Sequence, residues 1–183
     1  MTVNNADLAA LVRTIPDYPK PGIMFRDVST LLLDGAGFRA SIDRLAATFD
    51  PNSIDLIAGI EARGFIVAAA LSYALTKGKV MLRKPGKLPG DVVGIDYALE
   101  YGTDRIELHL GAINPGARVL IVDDLIATGG TAIAAAKLLR SEGAIVDAAR
   151  FLVDLPDLGG AERLRTMGIE PQSLMEFAGD EGQ

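Results

Sequence analysis

The stretch Val119-Leu120-Ile121-Val122-Asp123-Asp124-Leu125-Ile126-Ala127-Thr128-Gly129-Gly130-Thr131 decides the fold. Four apolar residues run unbroken into two carboxylates and then into a small, glycine-rich loop. An unbroken apolar run of this length reads as a strand buried on both faces, as in parallel sheets. The residues that follow, Ala132 to Arg140, are strong helix formers with apolar positions at Ile133, Ala136 and Leu139, and Gly143 is placed to stop that helix. The order is strand, acidic edge, loop, helix. A loop that opens a helix offers unpaired backbone N–H groups and the positive end of the helix dipole, which suits a phosphate. Glycines at Gly129 and Gly130 let the backbone close on an anion without a Cβ in the way.

The acid pair refines this reading. At the carboxyl end of a sheet strand, where open α/β sheets bind ligands, Asp123 and Asp124 would repel a bare phosphate. They make sense as acceptors for sugar hydroxyls, or as carboxylates that hold a metal shared with the phosphates. The expected ligand is a sugar phosphate, with its phosphate in the loop Ala127, Thr128, Gly129, Gly130 and Thr131. No Gly-x4-Gly-Lys-Ser/Thr motif occurs in the chain, so this is not a nucleoside-triphosphate P-loop.

Working outward, Ile54 to Ile60, Lys79 to Arg83, Ala144 to Val153 and Ser173 to Phe177 read as further strands. Ala6 to Val12, Phe38 to Phe49, Phe65 to Leu75 and Gly160 to Met167 read as helices. Strands alternating with helices mean a doubly wound α/β fold with a mainly parallel sheet flanked by helices. The helix Phe65 to Leu75 is almost wholly apolar and is expected to be buried all round. Tyr97 to Tyr101 and Arg105 to Leu110 read as a hairpin, with Ile106, Leu108 and Leu110 alternating with outward-facing Glu107 and His109. Ile15 to Gly22 holds three prolines and a glycine and cannot be regular structure; Ile23 to Val28 follows as an extended segment. Gly35-Ala36-Gly37-Phe38-Arg39-Ala40 matches a dinucleotide fingerprint. The strand before it is too short and Asp55 lies near the start of its strand, so a loop and helix start is the better reading.

At 183 residues with 49% hydrophobic content, one well-filled domain is expected. There is no Cys and one His, which removes disulfides, thiolate chemistry and Cys- or His-based metal sites. A net charge of -6 argues against nucleic-acid binding, and nothing resembles a signal peptide or membrane span, so a cytoplasmic protein is expected. An acidic protein must meet a phosphate-rich substrate with local basic residues. Arg63, in Ile60-Glu61-Ala62-Arg63-Gly64, offers a fork for diphosphate oxygens at a second strand end. Arg83, Lys84 and Lys87 bring three cations into a Pro/Gly loop suited to a lid over residues 84–93 with little to bury.

These stretches resemble the adenine branch of the type I phosphoribosyltransferases, enzymes that use 5-phosphoribosyl 1-diphosphate (PRPP). The likeness runs from about Ile15 to about Phe177. It includes Tyr18-Pro19-Lys20-Pro21-Gly22-Ile23-Met24-Phe25-Arg26-Asp27, Glu61-Ala62-Arg63-Gly64-Phe65, Arg83-Lys84-Pro85-Gly86-Lys87-Leu88-Pro89-Gly90 and Tyr97-Ala98-Leu99-Glu100-Tyr101-Gly102. One departure is Ala62, where many relatives carry Ser. The resemblance implies transfer of the phosphoribosyl group to adenine, giving AMP and diphosphate, with Mg²⁺ carried in by PRPP and no protein ligand for it assigned. It implies a diphosphate site at Glu61, Ala62, Arg63, Arg83, Lys84 and Lys87, and a non-proline cis peptide within Glu61–Arg63. It also implies an adenine site at Met24, Phe25, Arg26 and Leu125 under a small N-terminal hood, residues 1–34. Glu100 is the candidate acid/base, beside the catalytic acid pair Asp123 and Asp124, and a homodimer with Arg83 near the neighbouring site is expected. Two rivals share the fold: a transferase for another purine, and a PRPP-sensing regulator that catalyses nothing. Net charge and the absence of a helix-turn-helix ahead of the fold speak against the regulator.

Overall fold

The computed structural model describes residues 5–98 and 102–178. Its centre is a five-stranded, all-parallel sheet of β3 (Leu56–Ile60), β4 (Gly78–Leu82), β7 (Val119–Ile126), β8 (Ala148–Asp154) and β9 (Glu170–Glu176), in the order β4-β3-β7-β8-β9. The predicted doubly wound sheet is therefore present, with the acid-bearing strand β7 in the middle. Val119 to Val122 are buried, as the unbroken apolar run requires.

Helices cover both faces. On one side lie α3 (Gly35–Ala46) and α4 (Gly64–Leu75), with the short α1 (Ala6–Ala9) and α2 (Ser29–Leu33) beneath them. Leu45, Ile57, Val67, Leu71, Leu120 and Leu152 form the core there. On the other side lie α5 (Gly130–Ser141) and α6 (Gly160–Thr166), and across α5 the antiparallel hairpin β5 (Val92–Ala98) and β6 (Thr103–His109). Ile106 and Leu108 of the hairpin join Ile121, Ala135, Leu139 and Phe151 in that core. A two-stranded sheet of β1 (Arg13–Ile15) and β2 (Phe25–Asp27) sits outside the main sheet, toward the N-terminus. Asp34 caps α3 by accepting from the Gly37 N–H at 2.7 Å, so the glycine-rich decoy is a helix start.

Three sequence expectations need correction. Helix α4 is not buried all round: Val67, Ala68 and Leu71 face the core, while Ile66 is 46% and Tyr73 is 90% exposed. The helix is apolar on a face that this chain does not itself cover. Glu107 does not face outward. It is buried between Arg105, which donates to it at 3.0 Å, and the Gly86 N–H at 3.1 Å, whereas Leu110 is exposed. The paired donors make a carboxylate tolerable where alternation had put an outward position. The 84–93 loop also buries more than expected: Leu88 is 8% exposed and anchors it. β1 and α2, only three and five residues long, escaped sequence reading because neither is long enough to repeat its pattern twice.

Candidate active site

The site forms where β3 and β7 end side by side. After Ile126 the chain leaves the sheet and runs through Ala127 to Gly129, whose φ of 79° is a left-handed value that favours glycine. Helix α5 then starts at Gly130 with no side chain capping it. Its first N–H groups are left for a ligand, in a cavity of about 140 Å³ lined by Asp123, Ala127, Thr128, Gly129, Gly130 and Thr131. The predicted phosphate loop is thus assembled as a concave cradle at a helix N-terminus. It is also braced from behind. The Gly160 N–H donates to the Ala127 carbonyl at 3.0 Å, and Arg163 Nη1 donates to the Thr128 carbonyl at 3.1 Å. A Cβ on Gly160 would lie 2.2 Å from the Ala127 oxygen, so only glycine fits at this contact. The Gly159-Gly160 pair was the one sequence signal of this brace.

A second, larger cavity of about 350 Å³ adjoins the first and is lined by Glu61, Ala62, Arg63, Lys84, Asp123, Asp124, Leu125 and Thr131. Residues assigned from separate stretches meet here. Arg63 Nε lies 2.6 Å from Asp124 Oδ2, so the anion facing Arg63 is a carboxylate of the acid pair. The pair is not aligned as a hydrogen bond, and Asp124 Oδ2 is buried without a donor among the described residues. The Asp124 N–H donates to Asp123 Oδ1 at 2.9 Å. Burial, and then the negative charge of Asp124, push the Asp123 carboxyl well above the usual carboxylate range. Gly64 makes this approach possible: a Cβ there would lie 2.4 Å from Asp123 Oδ1. The Glu61–Ala62 peptide is cis, as the resemblance implied.

The basic residues divide their work. Arg83 forks onto Glu61 with two contacts of 3.2 Å and donates to the Lys87 carbonyl at 2.8 Å. Glu61 also accepts from the Lys84 N–H at 2.9 Å, and the Arg83 hydrogen bond leads the causes that hold its carboxyl below the usual range. Glu61, Arg83 and Lys87 therefore form a frame, with the Lys87 side chain exposed, while Lys84 lines the cavity. Lys84 Nζ pairs with Asp104 Oδ2 and donates to the Tyr97 hydroxyl at 3.2 Å. Tyr97 in turn donates to Asp104 at 3.1 Å and accepts from Thr131 Oγ1 at 3.3 Å. The Lys84 hydrogen bond leads the causes that lower the Asp104 carboxyl. Burial opposes the Lys84 ammonium, but its bonds to Asp104 and Tyr97 outweigh that and raise it. Sequence reading gave no role to Tyr97 or Asp104.

On the hood side, the Arg63 guanidinium carbon lies 5.5 Å from the Phe25 ring centroid, bringing β2 to the second cavity. The Tyr18 ring meets Phe25 edge-on at 5.1 Å. Arg26 reaches Thr14 Oγ1 at 2.5 Å and stacks over Phe177 at 4.6 Å, while Met24 is exposed just before β2. The lone His109 bonds the Pro89 carbonyl through Nε2 at 2.9 Å, a loop contact. Glu100, within Leu99–Tyr101, lies outside the described residues. Among the described residues no cluster of three or more His, Cys, Asp or Glu could hold a metal ion, and no helix is long and apolar enough to cross a membrane.

Comparison with known proteins agrees with this geometry. The family model for the phosphoribosyl transferase domain matches residues 30–156. An adenine phosphoribosyltransferase of Azorhizobium caulinodans is 58% identical over 173 residues, 94% of this chain and 97% of that protein. The crystal structure of the adenine phosphoribosyltransferase from Thermoanaerobacter pseudethanolicus superposes with a TM-score of 0.90 at 46% identity, covering 95% of this chain and all of that one. The Saccharomyces cerevisiae enzyme, solved in complex with an imino-altritol bisphosphate and adenine, gives 0.85 at 36% identity over 92% of this chain and 97% of that one. A cradle at a helix start, two carboxylates beside it and a basic cavity adjoining both thus occur on a chain that belongs to the phosphoribosyl transferase family, in its adenine phosphoribosyltransferase branch.

Proposed function

We propose that this site transfers the 5-phosphoribosyl group of PRPP to adenine, releasing AMP and diphosphate. The observation that carries the reading is the junction of the two cavities at Asp123, Leu125 and Thr131. One cavity suits the 5-phosphate, the other suits the diphosphate, and the carboxylates at the junction suit the ribose hydroxyls between them. Relatives sharing more than half of their residues with this chain carry the same name.

In this reading the 127–131 loop holds the 5-phosphate through backbone N–H groups and the Thr128 hydroxyl. Asp123 and Asp124 accept from the ribose hydroxyls. Asp124 Oδ2, buried and facing the Arg63 guanidinium without an aligned hydrogen bond, is an acceptor that a ligand hydroxyl takes over once Arg63 turns away. As diphosphate leaves, C1 of the ribose becomes cationic and negative charge grows on the leaving oxygens. Arg63 and Lys84 stabilise that charge, and Arg63 turns from Asp124 toward the diphosphate to do so. Two carboxylates alone are too few oxygens for an octahedral Mg²⁺, so the donor set fits a magnesium ion that brings most of its oxygens from the substrate. Bound that way it would supply charge neutralisation at the diphosphate. Phe25 and Leu125 sandwich the base, and backbone groups at Met24 and Arg26 pair its edge. Glu100 serves as acid/base toward the purine imidazole. The 84–93 segment closes over the site and excludes water. The protein works in the cytoplasm as a homodimer; the exposed Ile66 and Tyr73 on α4 support an apolar contact between copies.

The test is product analysis with PRPP, Mg²⁺ and a panel of purines. AMP and diphosphate from adenine, with hypoxanthine and guanine poorer by about tenfold or more per mispaired buried edge group, is expected. Comparable kcat/KM for hypoxanthine and adenine overturns the specificity, and no diphosphate release with any base overturns the activity.

A further inference from the structure

A lysine ends in a charged group on a long, flexible stem, and a site that needs its charge at one place must hold it there. Lys84 leaves the end of β4 in a segment that the hairpin grips: Arg83 and Glu107 exchange backbone hydrogen bonds of 2.8 Å in both directions. The hairpin ladder sets Tyr97 of β5 directly opposite Asp104 of β6, so phenol and carboxylate reach the ammonium as a preformed pair. The donor count closes. An ammonium has three N–H donors, of which Asp104 and Tyr97 take two, leaving one for a ligand oxygen in the cavity that Lys84 lines. A phenol has one donor and two acceptor positions. Tyr97 donates to Asp104 and accepts from Lys84 and from Thr131 Oγ1, so all three are used. The Lys84 side chain keeps 41% exposure beside Asp104 at 23%, so it is held without being shut away.

Building on the function proposed above, we infer that Asp104 and Tyr97 are positioning residues, which hold the Lys84 ammonium on the wall of the diphosphate cavity and tie it through Tyr97 to Thr131 of the phosphate loop. Neither touches the reacting atoms. They act through Lys84, and the loss of either leaves a cation that samples many positions.

The inference is tested in the full chain by titrating inorganic diphosphate with Mg²⁺ by calorimetry, beside steady-state kinetics, for Asp104→Asn, Tyr97→Phe, Lys84→Ala and Lys84→Ala/Asp104→Asn. Asp104→Asn and Tyr97→Phe are each expected to weaken diphosphate binding and raise the PRPP KM by roughly fivefold, with the adenine KM unchanged within about twofold and the thermal midpoint near wild type. Asp104→Glu is expected to recover part of the loss. In the Lys84→Ala background, Asp104→Asn is expected to have no further effect, because the group it positions is gone. Unchanged or tighter diphosphate binding in Asp104→Asn overturns the inference, since Asp104 would then be idle or would sequester the lysine. The full Asp104→Asn effect persisting without Lys84 overturns it equally. If Asp104→Asn lowers the thermal midpoint, Tyr97→Phe, which removes one oxygen and keeps the ring, decides by the same criteria. Failure of wild-type AMP formation counts against the proposed function instead, and the diphosphate titration still reads the positioning.

Discussion

The two walls of the site are held together by different physics. The sheet wall, β7 with its loop and α5, rests on burial: Val119 to Val122 and Ala134 to Ala136 are almost inaccessible, and the loop geometry follows from glycines that fit where a Cβ cannot. The hairpin wall, with the 83–91 segment, rests largely on charge and hydrogen bonds: Arg83 to Glu61, Lys84 to Asp104, and Arg105 to Glu107 and Asp96. The sheet wall is suited to hold a phosphate in a fixed cradle. The hairpin wall is suited to fix the Lys84 charge at one place while leaving it a donor for a diphosphate oxygen. This is also why the acid pair stands on the sheet wall. Only a rigid, buried edge can keep two adjacent carboxylates dry enough that a ligand hydroxyl becomes their best partner.

The largest effect on the sheet wall is expected from Gly64→Ala. Its Cβ would lie 2.4 Å from Asp123 Oδ1 and 3.1 Å from the Asp123 Cα. A rigid wall cannot absorb that, so the PRPP kcat/KM is expected to fall roughly 10- to 100-fold, the range that overpacking costs imply. If the variant keeps wild-type kinetics, the edge is softer than its burial suggests. Next comes Phe25→Ala, on the hood side. The adenine KM is expected to rise about tenfold while the PRPP KM stays within about twofold, the scale of a lost aromatic contact plus its burial. Equal rises in both would place Phe25 in the support of the site rather than against the base.

Asp27 gives the smallest effect and probes the hood as a polar construction. Hydrogen bonds from Ser29, followed by Arg13, hold its carboxyl at about 2 rather than 3.8. A depressed value means the ionised form stabilises the fold. That contribution is complete above pH 3.8 and is lost as pH falls toward about 2. Asp27→Asn is therefore expected to lower stability at neutral pH by on the order of 1 kcal/mol. The gap from wild type should narrow between pH 4 and 2 in denaturant unfolding followed across that range. A gap independent of pH would remove the ionic contribution.

The same contrast explains what could be read from the sequence. Strand β7, the acid pair, the glycine loop and α5 are contiguous, so the local pattern carried both the fold class and the phosphate site. Arg63 was legible as a site cation, but its partner Asp124 was not, because only the pairing of β3 with β7 brings the two strand ends together. The Lys84, Tyr97 and Asp104 network was invisible, since its members lie 7 to 20 residues apart and meet through hairpin register. Alternation misplaced Glu107 because a satisfied buried carboxylate looks the same in a sequence as an exposed one. Helix α4 misled in the opposite sense: apolar composition says that a face is to be covered, not by what.

Whether the acid pair serves the ligand and not the fold is decided by measuring Asp123→Asn twice, by thermal unfolding and by PRPP kinetics. The Asp123 carboxyl is pushed upward by burial and by Asp124, so ionising it costs the folded state, and asparagine keeps the oxygen that accepts from the Asp124 N–H. The expected result is a thermal midpoint equal to or above wild type, with kcat/KM for PRPP lower by about tenfold or more, the scale of a lost charge-assisted acceptor. A midpoint that falls in step with activity, or wild-type kinetics at any stability, would contradict it.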